Sequence, residues 1–403
     1  KGMMLAFTKI GDYLLDDSEG WFMRCDNIHT EKDPLKLDWR MLPEGEYGLR
    51  NPEYGPIQSE QNIFQMDNGD IYCMYRTIMG NPVQSYSRDG GKSWELPKIP
   101  TYYTGYKIKN PRACPRIWKC KNGKYLFWFH NHGGWDFQGR NPAWIAGGIE
   151  KNGKIIWSQP EILFYEDDTE KGMSYPDLIE QDGNYWITET NKKTGMCHQV
   201  DRNFLGNLWN QFYIQDVSQK GLVLEKPEEA LDGKTIELPR LSKMKKGNGL
   251  TIDFRINLAT LKPGELIMDS RDDDGKGFWV ETAEYGAIKF FMSDGNTASS
   301  WSSDAGIIEA FGEHEVTIII DYGPRIISFV VDGILSDGRD YRQFGWGRFE
   351  EDIKDIRTSE LKVNQLVRGQ IRKPGKVTHL RIYDRYLTTT EAVGNYRAWK
   401  RVH

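Results

Sequence analysis

The run His130-Asn131-His132-Gly133-Gly134-Trp135 concentrates more potential chemistry than any other stretch of this sequence. Two histidines at i and i+2 on a strand share one face, where imidazoles can hold a metal or move a proton. No third ligand stands at a metal-binding spacing, so the pair reads as pocket-lining, with no metal and no cofactor required. His130, His132 and Trp135 follow an aromatic strand and precede Gly-Gly, which predicts that they face a substrate. The five cysteines, Cys25, Cys73, Cys114, Cys120 and Cys197, are odd in number and contain no C-x-x-C pair. They form neither a disulfide framework nor a zinc signature, and they read as buried free thiols. Asp272-Asp273-Asp274-Gly275 reads as a solvated turn, with a structural Ca²⁺ as the alternative.

The elements that must carry these residues repeat. A Gly turn followed by an aromatic-rich strand occurs four times, at Lys1–Phe7, Asn68–Arg76, Asn122–His130 and Asp182–Glu189. The turn glycines, Gly2, Gly69, Gly123 and Gly183, lie 54 to 67 residues apart. That period suits four-stranded propeller blades with loops. Ser87-Arg88-Asp89-Gly90-Gly91-Lys92-Ser93-Trp94 matches the Asp-box pattern S-x-D-x-G-x-[ST]-W. There Asp89 can accept bonds from loop amides, the glycines allow positive φ, and Trp94 plugs a blade core, so its meaning is structural. Glu150–Trp157 reads as a decayed copy. After about residue 220 the texture changes to longer alternating strands such as Gly249–Ile256, with Val316–Tyr322 and Arg325–Gly333 as a hairpin. The sequence from His379 reads as a strand and then a capped helical turn.

On the repeat and the Asp-box, the first half resembles the Asp-box (BNR-repeat) sialidases. That resemblance implies a six-bladed type of β-propeller, of which residues 1–215 supply about four blades, the opening ones lying upstream. Residues 216–403 resemble a laminin-G/concanavalin A-like β-sandwich (jelly roll), so the chain is expected to be all-β. The family has a Glu on one blade's first strand and an Arg ending its second. Glu60 and Arg76 stand so here, bracketing Gly69. A Tyr, a Gly turn and a Glu follow in a later blade, as Tyr175, Gly183 and Glu189 do. Arg140 fits a further arginine position, with Arg112 and Arg116 competing for it. The resemblance then implies that Arg76 and Arg140 grip a sugar carboxylate, while Tyr175 is the nucleophile and Glu60 its base. Bidentate guanidinium recognition and a neutral attacking phenol both suit an anionic anomeric centre. The family's first arginine and acidic Asp have no counterpart here, and Pro176 follows Tyr175 where the family has Ser.

Each residue also has a plainer reading. Arg76 could bond carbonyls at a channel mouth, Glu60 could simply pair with it, and Tyr175 could anchor a core. Three functions compete: a retaining sialidase-type glycosidase, a polysaccharide lyase in which a His or Tyr abstracts a proton beside a uronate carboxylate, and a glycan-binding protein without catalysis. All three take a glycan as partner. A formal net charge of −5 with both signs interspersed argues against nucleic acid. No segment is apolar for long enough to span a bilayer. The resemblance implies a secreted, periplasmic or cell-surface location. Trp279, Trp301 and Trp346 in the second half could meet sugar, though core positions suit them better.

Overall fold

Short aromatic and β-branched runs between Gly turns favour strands over helices. The computed structural model describes residues 2–10, 17–57, 59–136, 138–231, 233–365 and 375–402, and strands dominate it. The chain divides into two units, Lys1–Trp209 and Asn210–His403.

The first unit holds four separate antiparallel sheets. The first is β1 (Met3–Lys9), β2 (Glu19–Cys25) and β3 (Trp39–Leu42). The second is β4 (Asn62–Gln65), β5 (Ile71–Tyr75) and β6 (Val83–Ser87). The third contains β7 (Arg116–Lys119), β8 (Tyr125–Phe129), β9 (Ala143–Lys151), β10 (Lys154–Trp157) and β11 (Glu161–Phe164). The fourth is β12 (Ser174–Gln181), β13 (Asn184–Thr190) and β14 (Gly195–Val200), followed by helix α1 (Arg202–Asn210). Three of the four Gly-turn copies fall on β5, β8 and β13, each an interior strand of its sheet. The first copy falls on β1, an edge strand paired with β2. Its composition reflects that place: β5 and β8 are buried throughout, whereas Met3 and Leu5 of β1 stay exposed.

The Asp-box after β6 forms the expected turn. Asp89 accepts from the Ser93 amide at 3.0 Å and from the Ser93 hydroxyl at 2.6 Å, and Gly90 and Gly91 take φ of 79° and 96°. Trp94 stacks on Phe22 of the first sheet at 4.8 Å, and Arg24 donates to the Gly90 carbonyl at 2.7 Å, so the turn rivets one sheet to the next. The Glu150–Trp157 stretch differs from an Asp-box. It is a two-residue hairpin joining β9 and β10, with Asn152 and Gly153 both at positive φ, the geometry of a type I′ turn. Trp157 is nonetheless fully buried.

The second unit contains β15 (Leu222–Pro227), β16 (Thr235–Glu237), β17 (Gly249–Leu258), β18 (Leu266–Asp269), β19 (Lys276–Thr282), β20 (Ile288–Asp294), β21 (Ala298–Ser302), β22 (Glu313–Asp321), β23 (Ile326–Val331), β24 (Ile334–Leu335), β25 (Gly347–Arg348), β26 (Glu360–Val363), β27 (Gly375–Tyr383) and helix α2 (Thr389–Val402). Among the described residues one sheet runs β15-β27-β17-β22-β23-β24, with β25 also on β23. The other runs β16-β26-β18-β19-β20-β21. Alternate residues of both, such as Ile252, Phe254, Ile318 and Phe329 from one and Phe278, Val280, Phe290 and Leu361 from the other, share one core. The β22–β23 pairing is the expected hairpin.

The opposite face of β17 is charged. Asp253, paired in register with Thr317 and Arg381, accepts from Thr317 Oγ1 at 2.9 Å, from Arg381 at 3.3 Å and from Asn395 of α2 at 2.9 Å. Helix α2 starts in a capping box. The Glu391 amide donates to Thr388 Oγ1 at 3.2 Å and the Thr388 amide donates to the Glu391 carboxylate at 2.9 Å, with Arg385 bound to the same carboxylate. Trp346 is buried, Trp301 packs against the core, and Trp279 is part-exposed, stacked on Phe291 at 4.7 Å. The Asp272 carboxylate accepts from the Asp274 and Lys276 amides, as a turn does. Among the described residues no group of three or more His, Cys, Asp or Glu could hold a metal ion, and no helix is long and apolar enough to cross a membrane.

Candidate functional site

The strand ends of the second, third and fourth sheets bring the predicted residues into one neighbourhood. Glu60 stands two residues ahead of β4 and Arg76 directly after β5, and β4–β5 pairing sets them side by side. Their ion pair measures 2.7 Å and both side chains are largely buried. Asn62 of β4 donates to the carbonyls of Glu60 at 3.2 Å and Pro115 at 2.5 Å, and accepts from the Ile117 amide. It thereby ties the 110–116 loop, with Arg112 and Cys114, to the base of Glu60. The Cys114 thiol lies near the Glu60 carboxylate and favours its charged form. Nothing in the sequence reading pointed to Cys114. Its place between Arg112 and Arg116 was the available signal.

Arg140 precedes β9 and reaches across to the fourth sheet. It donates to Ser174 Oγ at 2.8 Å and to the Arg112 carbonyl at 2.8 Å, while its Nε–H is buried with no partner. Gly172 permits the approach, since a Cβ there would meet Arg140 Cβ at 3.0 Å. Tyr175, Arg76, Glu60 and Cys114 all act electrostatically on Arg140. Burial lowers the guanidinium's proton affinity, and the charge of Arg76 adds to that. Glu60 feels Arg76, Arg140 and Arg112 in turn. Burial raises its pKa above the ordinary 4.5, with Arg76 as the strongest opposing influence. One carboxylate oxygen, Oε2, is buried without a partner. Tyr175 is 52% exposed and sits at φ 50°, where β12 breaks register between Ser174 and Asp177. Ser59, Glu60 and Asn131 also hold positive φ. Each such non-glycine residue costs about 1–3 kcal/mol, and clusters of them mark sites held by their surroundings.

The other expected residues divide. Trp135 is 77% exposed, and the neighbouring Asp136 carbonyl accepts from the Arg112 amide at 2.9 Å, so its loop adjoins the cluster. Arg116 lies on β7 and pairs with Asp177 at 3.4 Å. The histidines depart from the pocket-lining expectation. His130 is 1% and His132 0% exposed, and both rings are bonded to backbone. Burial lowers their pKa values to about 3 and about 4, so both are neutral near pH 7. An alternating pattern names the face a residue shares, but the covering loop decides whether that face is wet. Glu189 is likewise buried, 3.3 Å from His198. Of the cysteines, Cys25, Cys73 and Cys120 are buried as expected, Cys114 is part-buried and Cys197 is exposed.

Residues 34–187 match the family described as BNR repeat-like domain. No curated protein matches the chain. Among solved structures it is similar to Trypanosoma rangeli sialidase in complex with 2,3-difluorosialic acid, at 12% identity and a TM-score of 0.34, over 100% of this chain and 69% of that one. The same sialidase in complex with the inhibitor DANA gives 12% identity and a TM-score of 0.35, with the same coverage. The carbohydrate-binding CBM40 of the Ruminococcus gnavus IT-sialidase, bound to α2,3-sialyllactose, is similar at 14% identity and a TM-score of 0.31, over 43% of this chain and 97% of that one.

Proposed function

We propose that this protein is a glycosidase of sialidase type acting on a terminal acidic sugar. The observation that supports it most is the cluster around Arg140, in which a phenol, a buried carboxylate and a second guanidinium bear on one cation. In this reading Arg76, Arg140 and Arg112 bind the sugar carboxylate, through the unpartnered Arg140 Nε–H among others. The Tyr175 oxygen attacks the anomeric carbon as its proton passes to Glu60, and the bond from that carbon to the leaving oxygen breaks, the oxygen taking a proton from water. Water then releases the sugar with retention. A phenol meets less repulsion from the substrate carboxylate than a carboxylate nucleophile would. The general acid has no assigned residue in this cluster. Trp135 would offer an apolar surface beside the clamp. Reading the first unit as part of a six-bladed propeller, the second as a laminin-G/concanavalin A-like glycan-binding sandwich, and the location as outside the cytoplasm belongs to the same proposal.

The deciding measurement is release of free sialic acid from a fluorogenic sialoside by the full chain. Turnover that disappears in Tyr175→Phe supports the reading. Cleavage of uronate polymers to an unsaturated product absorbing in the near ultraviolet, without sialoside turnover, sinks it. With His130 and His132 buried, Tyr175 is the base that lyase chemistry would use in this reading.

A further inference from the structure

We infer that His130 and His132 are positioning residues which brace Arg140 from both sides. The inference rests on the reading of Arg140 as a carboxylate-binding residue. The segment Gly139-Arg140-Asn141-Pro142 enters β9 as loop and has no strand partner to fix it. Hydrogen bonds to its backbone and to Asn141 grip it instead. His132 Nε2 lies 3.0 Å from the Gly139 carbonyl, immediately before Arg140. His130 Nδ1 lies 3.2 Å from the Pro142 carbonyl, two residues after it. The Arg140 carbonyl accepts from the Met173 amide at 3.0 Å, and the Asn141 side chain donates to the Glu166 carbonyl at 2.9 Å. A carbonyl can only accept, so the brace requires the proton on Nε2 of His132 and on Nδ1 of His130, where the Met173 backbone competes for the ring. His132 is fixed further, since its Nδ1 accepts from the Gly134 amide at 3.2 Å.

The i, i+2 spacing at the end of β8 is therefore put to a backbone use. The two rings reach two carbonyls flanking a single arginine, and Asn131 between them turns at φ 48°. His130 is anchored in its turn, its amide donating to Asn110 Oδ1 at 3.1 Å. Arg140 then spans Arg112 and Ser174 from a backbone whose place is set by the third sheet.

Asparagine and glutamine separate this role from general packing. Glutamine carries its terminal amide where the histidine Nε2 stood, and asparagine carries it where Nδ1 stood. His132→Gln and His130→Asn are expected to keep the brace. His132→Asn and His130→Gln are expected to lose it. The readouts, on the full chain, are hydrogen exchange of residues 138–143 by mass spectrometry and calorimetric Kd for N-acetylneuraminic acid. The brace-keeping pair should stay within about twofold of wild type in both. The other pair should exchange faster in that segment and bind on the order of tenfold more weakly or worse, as misplaced binding groups do. Rescue by the brace-keeping pair alone supports the inference. Equal behaviour of Asn and Gln at both positions overturns it. If one position tolerates neither residue and the chain misfolds, the other position still decides. The expected exchange pattern with no sugar binding by any protein, wild type included, keeps the brace and overturns the sialic-acid reading.

Discussion

Glu60 is held between opposed influences: burial favours its proton, and Arg76 at 2.7 Å, with Arg140 and Arg112 beyond, favours its charge. Burial is the largest influence and the net shift is upward. A base must be ionised to work, so the acidic limb of the kcat/KM profile on a sialoside is expected above the ordinary carboxylate value of 4.5. Glu60→Gln should remove that limb and cost about 10²–10⁴ in kcat, the usual worth of general base catalysis. A pH–rate series on both proteins checks it, and a limb unchanged in Glu60→Gln rejects Glu60 as the base. Arg76→Ala should leave the Glu60 carboxylate unpaired in a poorly solvated place, lowering stability by on the order of 2 kcal/mol in urea unfolding. Some of this neighbourhood was legible beforehand. Glu60, Arg76, Arg140 and Tyr175 were picked on the family resemblance, and for Glu60 and Arg76 strand pairing about a Gly turn explains why that pattern sets them side by side. Cys114 and the roles of His130 and His132 were not legible, because they depend on which loop backbone folds over a strand end. Sequence spacing does not encode that.

At the level of elements, the turn of the Asp-box was legible, since the bonds of Asp89 lie within eight residues, while the contacts of Gly90 with Arg24 and of Trp94 with Phe22 depend on the neighbouring sheet. The status of β1 was not, because an edge strand and a central one can share a turn signal and differ only in what pairs beside them. Asp89 binds the Ser93 amide and hydroxyl, which lower its pKa from 3.8 to about 2. The folded-state value lies below the unfolded one, so the contribution is complete above about pH 4 and fades as pH falls towards 2. Asp89→Ala should lower the stability of the first unit by about 1 kcal/mol, given the exposure of the turn. The loss measured by thermal unfolding should shrink between pH 4 and pH 2. A deficit that stays constant across that window would mean the carboxylate is not what holds the turn.

On the scale of the whole chain, the core of the second unit is built from residues 231–382. Residues 210–403 produced alone are therefore expected to give a cooperative unfolding transition, and Phe254→Ala should lower its stability by about 3–5 kcal/mol. A fragment with no cooperative transition would show that this core is insufficient by itself. Asp253→Ala should also destabilise the second unit, since it removes one of the two carboxylates that hold Arg381, leaving Glu225, and leaves Asn395 and Thr317 without their acceptor. The layer beneath α2 has another consequence. Most helices that lift from a sheet bare an oily surface, which sticks to the next molecule. Here the uncovered strip would present Asp253, Thr317 and Arg381, which water readily hydrates, beside apolar Val330, in register with Thr317. The return of a loosened C-terminal helix should thus be selective, because Asn395 has to meet the waiting Asp253 carboxylate.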